Sequence, residues 1–208
     1  IGWLLVSVLL WSCVKPPEVV DQSKIDRLDI VTVRSRAIAD NMLDDSPDRM
    51  LVVYLPPGYD ASERVYPVVY FFYGFAMSPL MIKSYTQDLD RHFATSPEDA
   101  FVLVAVDGRN SLSGSYWQNS AITGGWQDFA FEEAPAVIQD LYRVSSEPQQ
   151  TALAGFSMGG RAVLKFALEH PDHYCAVYAA SPPFTTADDP AAAAVARGET
   201  KLRADIAA

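Results

Sequence analysis

Histidine and cysteine are nearly absent from this sequence, which holds three histidines and two cysteines in 208 residues. The cysteines, Cys13 and Cys175, stand in very different settings, and neither takes part in a metal-ligand spacing, so a zinc site is not expected. Positive charge is also scarce: 16 Lys plus Arg against 26 Asp plus Glu give a formal net charge of −10 with no basic run. Nucleic-acid binding needs a positive stripe to displace counterions, and this chain has none. Repeats and low-complexity tracts are missing too. What is plentiful is apolar surface. Half of the residues are hydrophobic, enough for one sizeable core and, at this length, one domain.

The first 14 residues carry no charge, and Trp3 to Trp11 form an apolar run. It has the length of a signal-peptide core and falls short of the ~20 residues that a membrane helix requires. The run ends in Leu10-Trp11-Ser12-Cys13, which resembles the bacterial lipobox, although Trp11 stands where a small residue is usual. Export is the expectation, with Cys13 as the lipid attachment point; simple secretion and an uncleaved anchor are the alternatives. Any membrane association is expected through that anchor alone. Residues 15–27, with Pro16-Pro17, read as a linker, and 28–208 as the folded domain. The chain begins with Ile, has no positive segment ahead of the apolar run, and reads as truncated.

One stretch organises the domain. In Leu153-Ala154-Gly155-Phe156-Ser157-Met158-Gly159-Gly160 an apolar run ends in Gly-x-Ser-x-Gly and passes into a helical pattern, with Val163, Phe166 and Ala167 at helical spacing. A serine on a sharp strand-to-helix turn has a strained backbone, and small flanking residues let strand and helix approach closely enough to expose its Oγ. Gly155, Gly159 and Gly160 supply that room. The same turn sets the backbone N–H of Met158 at a helix N-terminus, where unpaired donors and the helix dipole favour a developing negative charge. The competing reading is a glycine-rich turn with a serine N-cap, and the strand–turn–helix setting favours the first.

Around this motif, Leu28 to Ile38 alternates as a half-buried strand, and Met50 to Leu55 is a second, closed by Pro56-Pro57-Gly58. Val65 to Tyr73 and Phe101 to Val106 are apolar on both faces, as central strands are. Pro79 to Ala94 reads as an amphipathic helix, with Tyr85, Leu89 and Phe93 four apart. Residues 107–126 form a long Gly- and Ser-rich loop of the kind that carries function. Trp126 to Tyr142 is helical, Gln150 to Ala154 is the strand before the motif, and Tyr174 to Ala180 is a sixth strand. A hairpin followed by strand–helix alternation predicts an α/β fold, a mostly parallel sheet with helices on both faces.

Several segments together, Val53-Tyr54-Leu55-Pro56-Pro57-Gly58-Tyr59-Asp60, Tyr66-Pro67-Val68-Val69-Tyr70, Gly155 to Gly160 and His170-Pro171-Asp172, resemble the "Putative esterase" family of α/β-hydrolases, over roughly residues 28 to 185. That family includes esterase D, feruloyl and acetylxylan esterases, and mycolyltransferases. Tyr116 to Phe129 is similar to a stretch in its bacterial esterases. The resemblance implies Ser157 as nucleophile, no cofactor, and a second oxyanion donor from a backbone N–H after the third strand. The family usually has His-Gly there; this chain has Tyr73-Gly74-Phe75, and the donor is carried over to Phe75, with Gly74 and Ala76 as neighbours in contention.

The base is the difficulty, because the family order is Ser, then Asp or Glu, then His after the sixth strand. His170 lies about 20 Å from Oγ at ~1.5 Å per helical residue, His173 is farther along, and His92 precedes the nucleophile. Asp188 and Asp189 follow the sixth strand, but a seventh should come before the acid. The sequence leaves two explanations: a chain cut before its last two strands, with its Asp and His beyond residue 208, or a protein without catalysis. Trp117 and Trp126 either line a substrate pocket or cover a helix end. Asn119 and Asp128 read as braces of the long loop, and Cys175 as a small apolar residue in a buried strand. Three functions remain: an exported serine esterase acting on a small-molecule or carbohydrate-linked ester, an acyltransferase of the mycolyltransferase type, and a non-catalytic surface lipoprotein.

Overall fold

The computed structural model describes residues 16–25 and 28–183. The apolar leader, Cys13, Asp188 and Asp189 lie outside the described residues. Among the described residues nine strands occur in chain order: β1 (Glu18–Ile25), β2 (Leu28–Arg34), β3 (Asp48–Tyr54), β4 (Val68–Phe72), β5 (Val102–Val106), β6 (Asn119–Ser120), β7 (Gly124–Gly125), β8 (Thr151–Phe156) and β9 (Ala176–Ala180). Seven of them make one sheet in the order β1-β2-β3-β5-β4-β8-β9, and β6 and β7 pair as a separate small ribbon.

The sheet changes character along its width. β1, β2, β3 and β5 pair antiparallel, whereas β5-β4, β4-β8 and β8-β9 are parallel. Apolar patterning follows the same division. Val102 to Val106 is buried at every position, as a strand covered on both faces must be, while β2 alternates more openly. The order places β4 next to β8, with Phe72 opposite Gly155, so the C-terminal ends of these two strands deliver their following loops to one place. That adjacency is what creates the candidate site.

The helices are α1 (Arg36–Ala39), α2 (Thr86–Thr95), α3 (Trp126–Asp128), α4 (Ala134–Leu141) and α5 (Met158–Glu169). A 3₁₀ segment, Pro79–Tyr85, leads into α2, so the single helix expected there is tighter in its first half. Between α3 and α4 the chain runs through a π-helical turn, Phe129–Glu133. That turn carries Phe131, whose ring stacks on Phe166 of α5 at 3.8 Å and on Phe72 of β4 at 4.8 Å. Three elements far apart in sequence are thereby packed through one side chain.

The structure departs from the sequence expectation at two places near the N-terminal end of the sheet. Part of the presumed linker is strand β1, paired with β2 from Glu18 opposite Arg34 to Ile25 opposite Leu28. Its largely polar side chains are mostly exposed, because an edge strand is held by backbone hydrogen bonds to one neighbour and needs no apolar face of its own. The first predicted strand also stops earlier, at Arg34. Ser35 then caps α1, its Oγ accepting the Ile38 N–H at 3.1 Å.

Candidate active site

Ser157 sits between the last residue of β8 and the first of α5 with φ +52° and ψ −116°. A serine in this region is strained, by an amount on the order of 1–3 kcal/mol, and persists only where its surroundings leave no alternative. Those surroundings are explicit. The Ser157 N–H donates to the Ala180 carbonyl of β9 at 2.8 Å, and the Ser157 carbonyl accepts the Arg161 N–H at 3.0 Å, opening the helix. A Cβ on Gly160 would lie 2.8 Å from the Ala180 carbonyl oxygen, and one on Gly159 would run into the Phe72 carbonyl. Gly155 faces the same limit, since its Cβ would stand 2.8 Å from the Gly160 nitrogen. Strand and helix cross at backbone contact, which explains why the turn needs glycine on both sides of the serine.

Met158, 3% exposed, is the first residue of α5, so its N–H belongs to the initial turn that has no intrahelical acceptor. The loop after β4 lies alongside: a Cβ on Gly74 would be 3.1 Å from the Ser157 Cβ and 3.3 Å from the Phe156 ring. Among the three residues in contention there, Ala76 is committed elsewhere. Its N–H donates to the Ser113 carbonyl at 2.8 Å, from a residue at φ +59°. Gly74 and Phe75 are left as candidates. Tyr73 is buried against Phe71 at 4.6 Å and cannot stand in for an exposed polar group; burial first, and the neighbouring Tyr85 second, push its hydroxyl pKa up.

Exposed aromatics rim this spot. Phe75 and Phe156 are about half exposed, and Phe75 stands 6.4 Å from the Tyr116 ring. Of the two readings of the loop tryptophans, the pocket lining does not hold. Trp117 is 2% exposed and packs edge-on to Phe72 at 5.0 Å, and Trp126 is fully buried under the Arg49 guanidinium at 5.3 Å. Both fill the core beneath the long loop, because rings of that size gain most from complete burial. Asn119 and Asp128 do brace the loop: Asn119 Nδ2 donates to Asp128 Oδ1 at 2.6 Å, and Asn119 Oδ1 accepts the Gln127 N–H at 2.9 Å. Cys175 is exposed and not in a strand; its thiol donates to the Thr151 carbonyl at 3.3 Å.

No histidine hydrogen-bonds Ser157 among the described residues. His92 lies on α2 and faces Asp99 at 3.4 Å. His170 caps the far end of α5, a helix of 12 residues and therefore about 18 Å long; its ring packs on Phe166 at 4.4 Å and stacks with His173 at 5.3 Å. Among the described residues no group of three or more His, Cys, Asp or Glu is gathered as a metal site would require.

Two features escaped the sequence reading. Glu133, in the π-helical turn, is buried and accepts from Ser35 Oγ at 2.6 Å, Arg36 N–H at 3.1 Å and Ala37 N–H at 3.3 Å. The loop from Asn110 to Trp117 reaches the candidate site through Ser113 and Gly114. A buried glutamate and a loop asparagine carry no sequence period, and only the glycine and serine content of residues 107–126 hinted at the second.

Comparison with known proteins agrees with the geometry. Esterase Rv1288 of Mycobacterium tuberculosis (strain H37Rv) is 29% identical over 144 residues, 63% of this chain and 28% of that protein. The chain thus spans little more than a quarter of that relative's length. A ferulic acid esterase structure superposes with a TM-score of 0.66 at 26% identity, covering 82% of this chain and 66% of its own. The ferulic acid esterase AmCE1/Fae1A of Anaeromyces mucronatus, solved with ferulic acid, shares the fold with a TM-score of 0.53 at 21% identity, over 78% of this chain and 57% of its own. The fold is that of the α/β-hydrolases, and since residues 46–204 match the family described as "Putative esterase", the chain belongs to that family.

Proposed function

We propose that this chain carries the nucleophile and the oxyanion site of a serine carboxylic-ester hydrolase. The observation that carries the reading is Ser157 held at φ +52° on a strand-to-helix turn beside Gly74. In the reaction, Ser157 Oγ attacks the acyl carbonyl carbon and its proton passes to a base. The carbonyl electron pair becomes an oxyanion, which accepts from the N–H groups of Met158 and Phe75, and its collapse expels the alcohol to leave an acyl-enzyme. Water then releases the acid by the same route. The base is a histidine oriented by an aspartate, both supplied from sequence beyond residue 208, since His92, His170 and His173 stand elsewhere.

The exposed Phe75, Tyr116 and Phe156 favour a small ester with an apolar or aromatic acyl part, which fits the ferulic acid esterases among the similar structures. Transfer of the acyl group to an alcohol in place of water uses the same intermediate, so product analysis with an added alcohol separates hydrolase from acyltransferase. Export, with Cys13 as lipid anchor, belongs to the same proposal and is supported by the Trp3–Trp11 run and the Leu-Trp-Ser-Cys sequence.

The experiment is labelling of the full-length protein with a fluorophosphonate probe alongside turnover of short-chain p-nitrophenyl esters and methyl ferulate. Both signals are expected in the wild type and lost in Ser157→Ala. Unchanged turnover in that variant ends the serine reading, and absence of labelling in the wild type favours a non-catalytic surface protein.

A further inference from the structure

The oxyanion donors assigned above sit on two different elements, Met158 at the start of α5 and Phe75 in the loop after β4, which meet where Gly74 packs against Ser157. A third segment touches both. The Ser113 carbonyl accepts the Ala76 N–H at 2.8 Å, one residue past Phe75. Gly114 packs between the two donor residues: a Cβ there would lie 2.7 Å from Phe75 Cδ2 and 2.8 Å from Met158 Sδ.

Asp45 holds this segment at Ser111, with hydrogen bonds of 2.9 and 3.3 Å, and Asn110 ties its middle together. Asn110, 8% exposed, accepts the N–H groups of Leu112 and Gly114 at 3.0 Å each through Oδ1, and its carbonyl accepts the Ser113 N–H at 2.8 Å. The Gly108 carbonyl takes the Ser115 N–H at 3.0 Å, and the buried Trp117 anchors the far end. Ser113, Tyr116 and Trp117 all have positive φ, at 71°, 54° and 55°. Three strained non-glycine residues within five positions persist only where hydrogen bonds and packing over-determine the path.

We infer that the loop Asn110–Trp117 positions the oxyanion site, with Asn110 and Gly114 as positioning residues: Asn110 fixes the Ser113 carbonyl that pins Ala76, and Gly114 sets the spacing between Phe75 and Met158. The inference rests on the proposed serine-esterase function. Its physical content is that the donors stabilise charge only if they already stand where the oxyanion will form, and a misplacement of about 1 Å costs on the order of 100-fold in rate. Asn110 acts through its acceptor oxygen, while its Nδ2 has no hydrogen-bond partner among the described residues. Aspartate at this position therefore keeps the bonds that matter, and alanine removes them.

The test uses full-length protein and compares Asn110→Ala, Asn110→Asp and Gly114→Val with the wild type, each checked for an unaltered cooperative thermal transition. Steady-state hydrolysis of a p-nitrophenyl ester is measured with the affinity of an aryl trifluoromethyl ketone. Ser157 Oγ adds to the ketone carbon, its proton moves to the histidine base, and the carbonyl electron pair becomes the oxyanion. The matching trifluoromethyl alcohol, which forms no oxyanion, is the control. Asn110→Ala and Gly114→Val are expected to lower kcat about 10- to 100-fold with little change in KM. They should weaken the ketone by the same factor, leave alcohol affinity unchanged, and Asn110→Asp should restore most of both. Rates within twofold of wild type overturn the inference. So does ketone and alcohol affinity falling together, or a loss in Asn110→Asp equal to that in Asn110→Ala. If Asn110→Ala does not fold, Gly114→Val and Asn110→Asp decide it. Undiminished turnover or ketone affinity in Ser157→Ala instead removes the esterase reading beneath it.

Discussion

The amide of Ser157 donates to the carbonyl of Ala180 at 2.8 Å, which ties the strained serine to the strand on the far side of β8. The turn is therefore held from outside as well as by its own glycines. Replacing Ser157 with glycine, which adopts φ +52° without steric cost, should stabilise the protein by about 1 kcal/mol while abolishing ester cleavage. Ser157→Ala keeps a Cβ and should leave stability near wild type. Urea unfolding of the two variants side by side tests this; equal midpoints would mean that the backbone stores no strain at this turn.

Gly159 permits the crossing of α5 over β4. Gly159→Ala places a methyl group against the Phe72 carbonyl, a contact with backbone that no rotamer change relieves, and should destabilise by more than about 3 kcal/mol. Ala162→Gly, one turn further along the helix, should cost only about 1 kcal/mol. Denaturant midpoints of the pair measure the difference.

Phe131 joins the π-helical turn to β4 and α5 through its stacking on Phe72 and Phe166. Phe131→Ala is expected to cost about 3–5 kcal/mol, and Phe131→Leu clearly less. A loss below about 1 kcal/mol for the alanine variant would show that the three elements hold together without it.

Glu133 is buried and receives three hydrogen bonds, from Ser35 Oγ and the N–H groups of Arg36 and Ala37. Glu133→Ala removes the shared acceptor of these donors and should lower stability by about 2–4 kcal/mol. Ser35→Ala, which removes one donor and the cap on Ile38, should cost about 1 kcal/mol. Thermal unfolding of both variants and of the double variant would reveal the coupling as a shortfall from additivity.

His170 has its pKa held below the ordinary imidazole value by desolvation first and by the neighbouring His173, with Lys165 acting the same way and Glu169 opposing. A lowered folded-state value means that the unfolded chain binds the proton first. Stability is therefore unaffected by this group above about pH 6.5 and falls as pH drops from there toward the folded-state value. In urea titrations between about pH 7.5 and 5.5, the wild type should lose more stability than His170→Gln. Parallel curves would remove His170 as the cause.

What the sequence determined by itself is local. The strand-to-helix turn at Ser157 was legible because strand, turn and helix are consecutive in Gln150 to Glu169, and because a close crossing demands glycines at fixed offsets from Ser157. The buried strands were legible because Val102 to Val106 and Val68 to Phe72 are apolar on both faces. The braces Asn119 and Asp128 were legible because they are only nine residues apart in sequence, at the end of the long loop.

The tertiary structure decided the rest, where partners are distant and no period announces them. β1 is a strand only because β2 offers it a free edge, so its polar sequence resembles a tether. Trp117 and Trp126 have the same composition signal whether they line a pocket or fill a core, and only the packing against Phe72 and under Arg49 chose the core. Ser113 and Gly114 reach Ala76, Phe75 and Met158 because the sheet order sets β4 between β5 and β8, bringing three chain segments to one end of the sheet. The serine is prepared by its neighbours in sequence, and the site around it is assembled by neighbours in space.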